Sequence, residues 1–148
     1  MDNRTINDTY AQIAQELIET EACLEHIRSS QATIMYLSSD HEKKGNRKVI
    51  FGECEKVPDK WKWAVPCDFT ITVFEPNVER FDEDGIRKLL LHELMHVGID
   101  VDGNEEKYWV IPHDVEDFEE MIKRYGIRWA DETGQVKKSR KRPRKSDE

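Results

Sequence analysis

Cysteine is scarce in this sequence, and the three present, Cys23, Cys54 and Cys67, are an odd number with no C-x-x-C spacing among them. That pattern excludes a disulfide framework and a cysteine zinc ribbon, and leaves reduced thiols in a cytosolic protein as the expectation. Long apolar runs are missing too. No stretch approaches the roughly 20 residues that span a bilayer, and Met1-Asp2-Asn3-Arg4-Thr5 lacks the charged-then-apolar layout of a secretory signal. The chain is therefore expected in the cytoplasm, with no membrane partner. An excess of positive charge is missing from most of it: the formal net charge is −8, yet residues 137–148 hold seven Lys/Arg against two acids, so the preceding body is more acidic than the total suggests. An acidic body has no broad face for neutralising phosphates.

What is present fits one domain. At 148 residues and 37% hydrophobic content the chain can bury one modest core. Ile6, Tyr10, Ile13, Leu17, Leu24 and Ile27 recur at helical spacing and predict a helix over residues 6–28, with Thr5 as N-cap. Ala32 to Leu37 reads as a strand, a polar turn through Asp40 and Gly45 follows, and Val49 to Cys54 reads as its hairpin partner. Residues 55–67, with Pro58, Pro66, Trp61 and Trp63, form an irregular connection whose tryptophans are expected to cover the sheet. Phe69 to Val73 alternates as a half-buried strand that Pro76 stops; at a sheet edge it could hold an extended peptide.

The segment Leu89-Leu90-Leu91-His92-Glu93-Leu94-Met95-His96-Val97-Gly98 carries an H-E-x-x-H in an apolar setting read as one helix, with Asp82 as its cap and Glu83 and Asp84 in its first turn. Random placement of five histidines and eighteen glutamates gives the pattern with a probability of about 0.02, so chance is a poor account of it. In a helix, residues four apart lie on one face, so His92 and His96 can offer two imidazoles to one Zn²⁺ while Glu93 reaches a water there as a base. The competing reading is a pair of histidines satisfied by hydrogen bonds in a core helix.

A catalytic zinc takes three protein ligands. His26 and His41 are read as polar surface residues, which leaves His113, seventeen residues after His96, with Asp102 as its competitor. Asp102 holds the third-ligand offset of the metzincins, but their glycine position is Ile99 here and Gly98 lies one residue early, so that match fails. Asp100, Asp114 and Asp117 are nearby acids for the imidazoles' second nitrogens. Tyr108 and Tyr125 are read as packing residues rather than oxyanion donors. After a turn cluster at Asp100, Asp102, Gly103 and Asn104 and a short extended piece from Lys107 to Ile111, a helix is expected from Asp114, with Val115, Phe118, Ile122 and Tyr125 on one face and Gly126 as its stop. From Gly134 the chain has nothing to bury, so residues 1–133 are read as the domain and 134–148 as a basic, disordered tail.

The motif with Leu90-Leu91-His92-Glu93-Leu94-Met95-His96, followed by His113-Asp114-Val115-Glu116-Asp117-Phe118, resembles the phage-type metallopeptidase domain, over about residues 30–127. That resemblance implies a compact zincin-like α+β domain: an N-terminal helix, a small mostly antiparallel sheet, the H-E-x-x-H helix and a C-terminal helix. It also implies His92, His96 and His113 on zinc with Glu93 catalytic, a peptide or protein substrate, and the host cytoplasm if phage-encoded. A looser likeness is to SprT-like proteases, which implies cleavage of DNA-associated protein. A third reading is a catalytically silent zincin-like module that contacts nucleic acid through Lys137 and the basic residues that follow it to Lys145. An intact Glu93 favours the enzyme.

Overall fold

The computed structural model describes residues 2–45 and 48–112. His113, the helix expected from Asp114 and the basic tail lie outside the described residues.

Phe69–Phe74 organises the sheet, because this strand is buried on both faces. A strand with no wet face needs neighbours on both edges, and it has them. Arg4–Ile6 (β1), Ile34–Ser39 (β2), Phe69–Phe74 (β6) and Gly52–Lys56 (β5) form a four-stranded sheet in the order β1-β2-β6-β5. β2 runs parallel to β6, while β1 on β2 and β5 on β6 are antiparallel, so the sheet is mixed. Two expectations are corrected here. The segment after the Asp40 turn pairs with β6, not with β2, because a β2–β5 hairpin would leave the most apolar strand at an edge. For the same reason Phe69 to Val73 is interior and cannot itself take up a peptide; the edge strands are β1 and β5. Between β2 and β5 the chain makes a two-residue pairing of Lys44–Gly45 (β3) with Lys48–Val49 (β4).

Phe69, Ile71 and Val73 turn inward to the helices, each with no exposed surface. On the far face Thr72 and Phe74 are equally buried, under Arg4, whose Nη1 donates to Thr72 Oγ1 (3.0 Å) and whose guanidinium lies 5.6 Å from the Phe74 ring centre. Glu53 and Asp2 pair with the same guanidinium at 3.3 and 2.9 Å, which keeps the charge satisfied on that face.

The first helix is shorter than its periodicity predicts. It runs Asp8–Thr20 (α1), capped by Asn7, whose Oδ1 accepts from the Tyr10 N–H at 2.9 Å. Thr5 is no cap because it is paired to Ser38 in β1. Tyr10, Ala14, Leu17 and Ile18 form the buried stripe. At Glu21 the backbone turns extended and the helix stops, and after a short tight turn Glu25–Arg28 (α2) brings Ile27 into the core from another direction. The periodicity persists across the break because the same core is being filled.

Glu83–Leu94 (α3) starts as the sequence predicts: Asp82 Oδ1 accepts from the Gly85 N–H (2.7 Å), and Glu83 and Asp84 lie in the first turn. Leu89, Leu90, Leu91 and Leu94 are at most 1% exposed and pack with α1 and the inner sheet face; each such side chain contributes about 2 kcal/mol of apolar burial. β6 ends before Pro76, which lies in a short 3₁₀ turn, Glu75–Val78. Beyond α3, Val97–Asp102 (β7) and Glu105–Val110 (β8) form an antiparallel hairpin turned by Gly103-Asn104, with Gly103 at φ +67°. Positive φ is a glycine conformation, and Gly-Asn is a two-residue hairpin signature.

The tryptophans of the 55–67 connection do not cover the sheet. Trp61 is 49% and Trp63 80% exposed, with their rings tilted by 39° at 6.4 Å between centres. Among the described residues no helix is long and apolar enough to cross a membrane.

Candidate metal centre

The H-E-x-x-H segment is not helical throughout. α3 ends at Leu94, Met95 caps it, and the His96 N–H bonds back to the Glu93 carbonyl at 3.0 Å in a tight turn before β7 begins at Val97. The helix ends because Val97, fully buried, is drawn into the hairpin while Gly98 follows it as a poor helix former. Gly98, read as part of that helix, therefore belongs to a strand with Val97 and Ile99. The two imidazoles nevertheless meet: their ring centres are 5.4 Å apart with the planes tilted by 66°.

That spacing fits one shared cation. With a Zn–N bond of about 2.1 Å and a ring centre roughly 1.1 Å behind the nitrogen, two imidazoles at a tetrahedral angle would have centres about 5.2 Å apart.

A second observation bears on the fit. His96 Nδ1 lies 2.5 Å from the Ile111 carbonyl oxygen. A carbonyl only accepts, so Nδ1 carries the proton and Nε2 keeps its lone pair, the tautomer a metal needs. The bond has a structural cause. His96 and Ile111 stand opposite each other in continuation of the β7–β8 register, and the Ile111 N–H donates to the His96 carbonyl at 2.7 Å. The His96 N–H has gone to Glu93, so its ring takes the place in the ladder that the amide left. The partner of this ring is thus a backbone carbonyl and not one of the acids named from sequence; Asp100 is exposed on β7.

His92 and Glu93 are each only 4% exposed. Glu93 leans on β5: a β-carbon at Gly52 would come within 3.3 Å of Glu93 Oε2 and 3.1 Å of the Thr72 carbonyl oxygen. Cys54, the next residue of β5 on that face, is partly buried among the core residues. Burial pushes its thiol well above the usual range, and the Glu93 carboxylate adds to the shift.

Among the described residues no group of three or more His, Cys, Asp or Glu side chains is arranged to hold a metal ion. His92 and His96 come together, and His113 is outside the described residues. Asp102, its competitor, ends β7 at the hairpin tip, about 20 Å of extended chain from His96. It is removed as a ligand. His26 is partly exposed and its Nε2 bonds the Val97 carbonyl (2.8 Å), while His41 is exposed. Tyr108 packs edge-on against Phe69 (5.6 Å) and its hydroxyl donates to Glu106 at 2.7 Å, as a packing residue would. Gly52 and the Ile111 carbonyl escaped the sequence reading. The Gly103-Asn104 dipeptide between two alternating runs was the available signal for the hairpin that delivers Ile111.

His92 and Glu93 are buried together and the His96 ring beside them is oriented by a backbone carbonyl. Among family models, the one described as Putative phage metallopeptidase matches residues 3–137. The chain belongs to that family. Comparisons of this chain with curated proteins and with solved structures gave no match.

Proposed function

We propose that this protein is a zinc-dependent peptidase in which His92, His96 and His113 hold the metal and Glu93 is the general base. The observation that carries the reading is the His96 ring, fixed by Ile111 in the ligating tautomer and set beside His92. His113 is supported by chain reach. Both backbone groups of Ile111 face His96, and two further residues span at most about 7 Å.

Zinc bound there would make water a competent nucleophile near neutral pH and polarise the carbonyl under attack. The chain's own chemistry is proton management. Glu93 takes a proton from the attacking water as the C–O bond forms and returns it to the nitrogen as the C–N bond breaks, freeing an amine and a carboxylic acid. The substrate lies along β5. Phe51 and Val57 bond inward to Phe74 and Asp68, so by the alternation of an antiparallel ladder the backbone groups of Gly52, Cys54 and Lys56 point to the outer edge. An extended segment added there runs past Glu93.

The experiment is to measure zinc content and hydrolysis of casein and a peptide library by wild type and Glu93→Gln. Both should bind one zinc per chain, and the variant should lose about 10²–10⁴-fold in rate. A wild type that binds zinc and cleaves nothing across a broad substrate panel defeats the proposal.

A further inference from the structure

The β7–β8 hairpin has two unlike faces. Val97, Ile99 and Tyr108 point into the core. Strand alternation puts His96, Gly98 and Trp109 on the other face, with Gly98 opposite Trp109 and His96 opposite Ile111, which lies just past the end of β8 and reaches both Gly98 and the core. On that face the Trp109 ring lies across Gly98: a β-carbon at 98 would stand 2.7 Å from Trp109 Cε2, 2.8 Å from Nε1 and 2.9 Å from Ile111 Cγ1. Glycine is what lets the indole come this close to the backbone. Trp109 is still 42% exposed, and its partner Gly98 lies one pleat, or about 7 Å, along the strand from His96.

We infer that Trp109, seated on Gly98, is a specificity-determining residue that receives an apolar side chain of the substrate next to the scissile bond. This rests on the peptidase reading above. The indole presents a large rigid apolar surface with few rotamers to lose on binding. A floor of Gly98 and a flank of Ile111 fix its position relative to the His96 ring, which is tied to that same Ile111. Substrate side chains that are flat or bulky and apolar gain contact there, and small polar ones gain none.

The test uses full-length zinc-loaded protein and pairs of peptide hydroxamates that differ only in one side chain, benzyl or hydroxymethyl, placed before or after the chelating group. Binding is measured by calorimetry for wild type, Trp109→Ala and Trp109→Leu. Wild type should favour the benzyl compound of one pair by about tenfold or more, the scale on which apolar pockets discriminate. Trp109→Ala should bring that ratio to within about twofold while leaving the hydroxymethyl affinity unchanged. Trp109→Leu keeps an apolar cover on Gly98, and should hold an intermediate ratio with an unaltered melting temperature. An equal benzyl preference in wild type and Trp109→Ala overturns the role of Trp109 and leaves the peptidase reading standing. If none of the hydroxamates binds wild type, both fall.

Discussion

Glu93 is seated against Gly52: its Oε2 would lie 3.3 Å from any β-carbon at that position, and the Thr72 carbonyl behind it would lie 3.1 Å away. A carboxylate on α3 and a glycine on an edge strand, 41 positions apart in the chain, therefore share one space. The side chain could swing away from an added methyl group, but the Thr72 carbonyl belongs to the sheet ladder and cannot.

Gly52→Ala is accordingly expected to destabilise the fold by about 1–3 kcal/mol through overpacking, read from urea unfolding. It should also lower kcat at least tenfold with zinc content unchanged, because the displaced group is the proposed base and not a proposed ligand. A variant with wild-type kcat would show that Gly52 does not position Glu93.

Ile111→Pro removes the N–H that donates to the His96 carbonyl at 2.7 Å and loosens the partner of the His96 ring. Groups that orient a metal-binding imidazole are worth about 10–100-fold in metal affinity. Competition with a chromogenic chelator should show zinc binding weakened by that order, with the core unfolding transition retained.

Acid should expose the contribution of the N-terminal strand. Asp2 is held down to about 2, from 3.8, by its hydrogen bonds from Arg4 and Ser39. A folded-state pKa below the unfolded one means stability that is present above about pH 4 and lost as pH falls towards 2. Thermal melts between pH 5 and pH 2 should therefore fall more steeply for wild type than for Asp2→Asn. Parallel curves would remove Asp2 from the account.

Cys54 should be chemically quiet. Its thiol is raised first by burial and then by Glu93, and Cys67 is raised by burial as well; the thiolate is the reactive form. Iodoacetamide at pH 8 followed by peptide mapping should leave both unmodified in the native protein and label both in urea. Alkylation of native Cys54 at the rate of a free thiol would contradict its placement beside Glu93.

Local chemistry was legible in the residues alone. The cap of α3 at Asp82, the inward leucines, the stop at Pro76 and the H-E-x-x-H spacing all depend on interactions within a few positions, which a sequence states directly. The partners across the sheet were not legible. β5 pairs with β6 instead of β2 because the doubly buried strand needs two neighbours, a competition between distant segments that no single window contains. The helix break at Glu21 was hidden because broken and unbroken helices can present the same apolar periodicity to one core. The family and two candidate ligands could thus be inferred from the chain in order. What tertiary structure alone decided was that His96 leaves its helix, that a carbonyl fifteen residues on sets its tautomer, and that Glu93 rests on a glycine, since each is a contact made only when the hairpin and the sheet have closed on α3.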